Sequence, residues 1–137
     1  MQATALALAG YIGYFLLLLL LLASVRVIAT LGGKPANSFR PDGSDMPGFG
    51  QRLTRVHANA YESFPFVGGA LILALATQNT AITDGLALWL LAARVLQGLT
   101  HLASSSVLAV QIRFAFFIAQ FVIVANWALT FIGRFMH

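Results

Sequence analysis

Four long apolar stretches, separated by short polar segments, dominate the sequence. They cover about residues 3–31, 52–78, 84–107 and 110–134, and each has the roughly 20 residues that a helix needs to cross a bilayer. The segment 32–51 holds three of the four prolines and five glycines, which is typical of a loop. The pattern predicts an all-α integral membrane protein, in which a single four-helix bundle occupies residues 1–137.

Composition supports the membrane class and removes several others. Hydrophobic residues make up 59% of the chain and charged residues 9%, whereas soluble domains carry about 25% charged residues. The net charge is +4, but the basic residues are sparse and lie near helix ends or inside spans, so we expect no nucleic-acid partner. The absence of cysteine excludes disulfides, thiolate chemistry by the protein itself and cysteine metal sites. We expect no metal cofactor.

The distribution of basic residues predicts the orientation in the membrane. Most of them lie on or beside the first loop or at the start of the fourth span: Arg26, Lys34, Arg40, Arg52, Arg55 and Arg113. Only Arg134 lies at the opposite side, so the loop is predicted to be cytoplasmic and both termini to face the other side. The first apolar stretch is longer than a secretory signal and lacks its basic start, which indicates a retained span. The compact loops favour a bacterial inner membrane over the endoplasmic reticulum.

The second span carries polar residues that lipid does not tolerate. Arg52, Arg55, Asn59 and Glu62 are spaced by 3, 4 and 3 residues, which aligns them along one helix face. Glu62 lies about 15 Å into the predicted span, at 1.5 Å per residue. A carboxylate at that depth needs a cation, and Arg55 lies two turns back on the same face.

The other spans add further polar stripes. Arg94, Gln97 and His101 share one face of the third span, and Arg113 shares a face of the fourth with Gln120. These arginines, with Arg26 near the end of the first span, outnumber the single deep carboxylate. The excess of interior positive charge indicates that an anionic ligand completes a site. The alternative for Arg26, Arg52 and Arg113 is a simple anchoring role near the headgroups, and for His101 a packed structural histidine.

The stretch "RVHANAYESFP" resembles the signature of the MAPEG family, the membrane-associated proteins in eicosanoid and glutathione metabolism. In that family an arginine, an asparagine four residues on, a glutamate three further and a proline open the second of four helices. Arg55, Asn59, Glu62 and Pro65 match this pattern in register. The stretch "ARVLQG" in the third span and "QIR" at the start of the fourth are similar to family motifs as well, and the resemblance covers nearly the whole chain.

The resemblance implies a homotrimer that acts as a glutathione transferase or peroxidase on lipophilic electrophiles, with glutathione bound between subunits. The residues that it implies for glutathione binding are Arg26, Arg55, Asn59, Glu62, Arg94 and Gln97, with His57 and His101 as further candidates. Arg113 resembles the arginine that holds the thiol as thiolate and is the predicted catalytic residue.

Two alternatives to an enzyme remain open at this point. The third-span tyrosines of the family are replaced here by Leu99 or His101, depending on register, and the fourth span contains "RFAFF" and no tyrosine at all. A non-catalytic member that binds a lipid or a partner protein fits these departures. A small multidrug exporter is a weaker alternative, because such carriers have an acidic residue in the first span, where this chain has none, and Glu62 is surrounded by arginines.

Overall fold

The computed structural model describes residues 2–136, and they form an all-helical bundle. Helix α1 covers Gln2–Leu31, α2 Phe49–Ala76, α3 Ala87–Ala103 and α4 Val107–Phe135. A single 3-10 turn, Thr80–Ile82, lies between α2 and α3. The expected all-α class and four long helices are therefore confirmed.

Several helix boundaries differ from the predicted spans. Helix α3 was expected over 84–107 but ends at Ala103, because the serine-rich segment that follows leaves the helical conformation, with Ser104 and Ser106 extended. The Ser106 side chain then accepts a hydrogen bond from the Ala109 amide at 3.2 Å, which caps α4 and starts it at Val107 instead of 110. Helix α2 begins at Phe49, three residues before its predicted start.

Two of these helices are clearly suited to a bilayer. Helices α1 and α4 are both long enough and apolar enough to cross a membrane, by length and composition. Helix α3 has 17 residues, about 25 Å at 1.5 Å per residue. Most side chains of α1 and α4 point outward, including the leucines of the run Leu16–Leu21 apart from Leu18, as expected for surfaces in contact with lipid.

A narrow stripe of α1 makes the contact with the rest of the bundle. Its buried residues are Thr4, Ala7, Tyr11, Leu18 and Leu22. The Tyr11 hydroxyl donates to the Ala60 carbonyl at 2.9 Å and also shares a hydrogen bond with the Ser63 hydroxyl. Because a phenol without partners would be costly in this apolar core, these bonds fix the rotation of α1 against α2.

Polar contacts close both ends of the bundle. At one end the Asp84 carboxylate accepts hydrogen bonds from the Thr4 amide at 2.9 Å and the Thr4 hydroxyl at 2.6 Å. Because Thr4 lies in the first turn of α1, the Asp84 carboxylate also complements the positive end of the α1 helix dipole. At the other end the Arg52 side chain donates from Nε to the Leu102 carbonyl at 2.8 Å, which ties the start of α2 to the end of α3.

The long loop between α1 and α2 is held by its own charged residues. Lys34 and Asp45 form an ion pair at 3.1 Å, and the Arg40 amide donates to Asp45 at 3.0 Å. The amide and hydroxyl of Ser44 both donate to Asp42, and these bonds hold the pKa of the Asp42 carboxyl below its usual range. These contacts between its own residues hold the conformation of the loop.

Helices α1 and α3 approach closely at two glycines. A Cβ at Gly10 would meet the side chain of Leu91 at 2.6 Å, and one at Gly98 would collide with the Tyr14 hydroxyl. The missing side chains make room for Leu91 and Tyr14, each from the facing helix. Through this contact Tyr14 lies beside the polar side chains of Arg94, Gln97 and His101.

Candidate functional site

A pocket of about 440 Å³ opens between α2, α3 and α4. Its lining residues combine charged, polar and aromatic side chains: Arg55, Ala58, Asn59, Glu62, Gln97, His101, Val110, Arg113, Phe114 and Phe117. Four of the six residues predicted to bind the ligand lie in this lining, from α2 and α3, together with Arg113 of α4, the predicted catalytic residue. The polar stripes of three helices therefore form one site.

The α2 wall of the pocket carries the predicted stripe without its first member. Arg55, Asn59 and Glu62 all line the pocket, as their helical spacing predicts. Arg52 does not, because its side chain bonds to the end of α3. Glu62 was expected to need an arginine partner, yet among residues 2–136 its carboxylate forms no ion pair and its side chain is exposed. The acid is therefore available to a ligand.

Arg113 enters the pocket from the second turn of α4. Its side chain is half-buried, and its Nε is fully buried and has no hydrogen-bond partner within the described part of the chain. A buried donor without a partner is unfavourable, and native structures nearly always satisfy such groups. Together with Arg55, it gives the pocket two guanidinium groups against one carboxylate.

Helix α3 contributes Gln97 and His101, and α4 supports the first of them from behind. The Gln120 side chain donates from Nε2 to Gln97 Oε1 at 3.0 Å and to the Phe116 carbonyl at 2.8 Å. Gln120 is 1% exposed. Its position on the Arg113 face was predictable from the spacing, but its bond to Gln97 depends on how α3 and α4 pack and has no sequence signal.

Arg94 lies behind the pocket and does not line it, so its role in binding stays a prediction. The residue is 4% exposed, and its Nε has no hydrogen-bond partner among residues 2–136. It borders a small cavity of about 10 Å³ that also touches Tyr14, Gln97 and His101, which is room for about one water molecule. Arg94 thus supports the α3 side of the site from the interior of the bundle.

Two predicted site residues, Arg26 and His57, lie outside the pocket of their own chain. The Arg26 guanidinium stands 5.5 Å from the centre of the Phe39 ring in the first loop. His57 stacks on Phe15, with ring centres 5.0 Å apart, and its Nε2 is buried and lacks a partner within the described residues. The two residues lie at the α1–α2 side of the chain, away from α3 and α4.

Leu99 and His101, the two residues that the resemblance offers for the position of the family's tyrosines, differ in their place in the structure. His101 is buried and lines the pocket, whereas Leu99 is 54% exposed and does not. His101 therefore presents an imidazole to the pocket, beside Gln97 of the same helix.

Apolar surface adjoins the polar groups on two sides. Within the pocket Val110, Phe114 and Phe117 form the α4 wall. On the other side of Glu62, a mostly apolar groove of about 340 Å³ runs between α1 and α2 and includes Phe15, Tyr61 and Phe64. The arrangement suits a charged, water-soluble molecule that meets an apolar one arriving from the bilayer.

Comparison with known proteins agrees with this architecture. No curated protein and no solved structure gives a significant match. The family model described as MAPEG family matches residues 4–133, which is nearly the whole chain and includes every residue of the pocket. This protein therefore belongs to the MAPEG family, a family of membrane proteins.

Proposed function

We propose that the protein is a glutathione-dependent transferase or peroxidase that acts on lipophilic electrophiles. The observation that carries the proposal is the charge pattern of the pocket: Arg55 and Arg113 face the same space as a single carboxylate, Glu62. Glutathione has two carboxylates, one ammonium group and a thiol that becomes anionic when it ionises, so a pocket with more guanidinium groups than carboxylates is complementary to it. Membership of the MAPEG family supports the same substrate.

The side chains suit the individual groups of the tripeptide. An arginine fork donates two parallel hydrogen bonds to a carboxylate, so Arg55 suits one end of glutathione. Glu62, which has no cationic partner among residues 2–136, suits the ammonium group. Asn59 lies between them on the same face and offers both a donor and an acceptor to the peptide backbone.

Arg113 is the residue that we assign to the thiol. A guanidinium near a thiol stabilises the thiolate, which is the reactive nucleophile. The thiolate sulfur then donates an electron pair to an electrophilic carbon, forms the carbon–sulfur bond and displaces the leaving group with its bonding electrons. The aromatic wall of Phe114 and Phe117 would hold the apolar electrophile beside the sulfur.

A homotrimer is part of the proposal, because one chain does not complete the predicted site. Arg26 and His57 do not line the pocket of their own chain, and both lie at the side formed by α1 and α2. If the pocket edge of one chain packs against this side of a neighbour, the neighbour's Arg26 would add a further positive group for the second carboxylate. The family resemblance implies the same closed arrangement of three copies.

A non-catalytic binding protein is the second candidate, and one observation favours it. No tyrosine lines the pocket among the described residues, and α3 presents Gln97 and His101 to it instead. Such a member would bind glutathione or a lipid without forming a thiolate. Thiolate formation therefore separates the two candidates.

The replacement Glu62→Gln tests the proposed site directly. A hydrogen bond to a charged group contributes about 1.5–3 kcal/mol, so we expect glutathione to bind at least about tenfold more weakly. The oligomer should still fold, because Glu62 is exposed and unpaired within residues 2–136. Calorimetric titration of the purified protein measures the affinity.

The matched control is Asp42→Asn, which removes one negative charge from the exposed loop and should leave the affinity unchanged. Normal glutathione affinity in a folded Glu62→Gln protein would remove Glu62 from the site. If the unmodified protein does not bind glutathione at all, the proposed function is wrong.

A further inference from the structure

We infer that Gln120 is a positioning residue that fixes the amide of Gln97, and that Gln97 and Glu62 together recognise the free α-amino-acid end of the thiol peptide. The inference rests on the proposed function, since it specifies how the same pocket chooses its thiol. Neither residue of the glutamine pair bears on the chemistry of the sulfur. Their effect is on which thiols bind.

The first step is the orientation of Gln120. The Phe116 carbonyl can only accept a hydrogen bond, so the side-chain group 2.8 Å from it must be the NH₂ of Gln120. The same nitrogen lies 3.0 Å from the end of the Gln97 side chain. The Gln120 nitrogen has a second hydrogen to donate and cannot accept a hydrogen bond. The Gln97 atom that faces it must therefore be the amide oxygen. A backbone carbonyl thus sets both amides.

The second step concerns the other end of Gln97. With Oε1 held by Gln120, the side-chain NH₂ is the remaining polar group of a residue that lines the pocket. No acceptor among residues 2–136 takes a hydrogen bond from it. Gln97 therefore offers the pocket a donor with a fixed orientation, where an unrestrained glutamine could offer either its donor or its acceptor.

The third step is the pairing of this donor with Glu62. Gln97 lines the pocket from α3 and Glu62 from α2, so one pocket contains a neutral donor and an unpaired carboxylate. An α-amino acid has a carboxylate and an ammonium group on the same carbon. The carboxylate suits the NH₂ of Gln97 and the ammonium suits Glu62. The γ-glutamyl residue of glutathione is the part of the peptide that has both groups.

The energetic cost of Gln120 supports a role beyond packing. The residue is 1% exposed, and its Oε1 is buried without a hydrogen-bond partner in the described part of the chain. An apolar side chain of similar size would avoid the desolvation of that oxygen. Stability alone therefore does not favour a glutamine at this position. What the glutamine provides is its two donated hydrogen bonds, to Gln97 and to the Phe116 carbonyl.

The experiment compares two ligands. One is glutathione, and the other is γ-aminobutyryl-cysteinyl-glycine, which keeps the ammonium group and the thiol but lacks the α-carboxylate. We expect the unmodified protein to bind glutathione about tenfold more tightly than the analogue, the typical effect of one hydrogen bond to a charged group. Equal affinity for the two ligands would overturn the inference without any variant being made.

The variants are Gln97→Leu, Gln120→Leu and the double replacement, with Gln111→Leu as the control because Gln111 is an exposed glutamine of the same helix. We expect the affinity for glutathione to fall about tenfold in Gln97→Leu and severalfold in Gln120→Leu. The double variant should match Gln97→Leu, since Gln120 acts through Gln97. Binding of the analogue should not change in any variant.

A merely structural role for Gln120 gives a different result. The affinities for glutathione and for the analogue would then fall by the same factor in Gln120→Leu. Alternatively, the losses of affinity in the two single variants would multiply in the double variant. Either result overturns the inference. Gln120→Met, which keeps the unbranched shape, replaces the leucine variant if that protein does not fold. If the unmodified protein binds neither ligand, the proposed function itself is wrong.

Discussion

Arg113 differs from Arg55 in how its side chain is placed in the pocket. Arg55 is exposed, whereas Arg113 is half-buried and its Nε is out of contact with solvent and unpartnered within residues 2–136. A charge that is partly removed from water interacts more strongly with a nearby anion than an exposed one does. Arg113 is therefore better suited to change the ionisation of a bound thiol, and Arg55 to hold a carboxylate.

Replacement of Arg113 separates activation of the thiol from anchoring of the helix. In Arg113→Leu we expect the ultraviolet thiolate absorbance of bound glutathione near neutral pH to fall severalfold, because a thiol pKa raised by one unit, or about 1.36 kcal/mol, lowers the ratio of thiolate to thiol about tenfold. The affinity for the tripeptide should fall less, because the other contacts remain. Arg113→Lys should keep part of the signal, since the charge remains but the planar fork is lost.

The control for this pair is Arg134→Leu, in the last turn of the same helix and exposed. Thiolate absorbance in this variant should equal that of the unmodified protein. If Arg113 only anchors α4 at the headgroups, both Arg113 variants will form thiolate normally, and the catalytic assignment fails.

At the scale of the helix, periodicity predicted the α2 wall of the site well and the rest of it unevenly. The spacing of Arg55, Asn59 and Glu62 was sufficient to place them on one face, because a regular helix converts spacing into direction. Arg94 shares a stripe with Gln97 and His101, yet it points toward the interior behind the pocket. A stripe on α3 is wide enough to face both regions, and its rotation depends on packing against α1.

The rotation of α3 depends in part on the contact of Gly98 with Tyr14, where α1 and α3 approach closely. Gly98→Ala introduces a methyl group that collides with the Tyr14 hydroxyl and comes within 3.3 Å of Val56. Because overpacking typically costs about 1–3 kcal/mol, we expect a lower thermal midpoint and weaker glutathione binding. Differential scanning calorimetry and the titration measure the two effects.

Gly13→Ala is the matched control, because a Cβ at Gly13 meets no atom within 4 Å. It should leave the thermal midpoint unchanged or raise it slightly, since alanine favours a helix over glycine. An equal effect of the two replacements would show that the close approach at Gly98 does not hold α3 in place.

For the whole molecule, the sequence predicted an all-helical membrane protein because long apolar stretches and few charges allow little else. It did not predict which polar residues meet across helices, such as Gln97 and Gln120, because that depends on the rotation of each helix. Arg26 and His57 show the same limit at a larger scale. Their predicted place in the site requires a neighbouring chain, and no pattern within one chain specifies how copies pack.

The proposed homotrimer predicts a functional unit of three chains of 14.7 kDa each. A detergent-corrected mass of the purified protein, measured by light scattering, should correspond to three copies. Arg26→Leu should weaken glutathione binding while leaving this mass unchanged, because the proposal places Arg26 of a neighbouring chain beside the ligand and its side chain is not among the buried residues. A stable monomer that binds glutathione with normal affinity would contradict the shared site.

The most direct test of the account is a glutathione titration of the unmodified protein, followed by ultraviolet thiolate absorbance near neutral pH. The thiol of free glutathione is mostly protonated under these conditions. A saturable increase in absorbance therefore reports a thiol that ionises when glutathione binds to the protein. The account predicts such an increase, with saturation at the concentration that fills the Arg55–Arg113 pocket. Saturable binding without any thiolate signal would contradict the enzyme assignment and leave a non-catalytic member of the family.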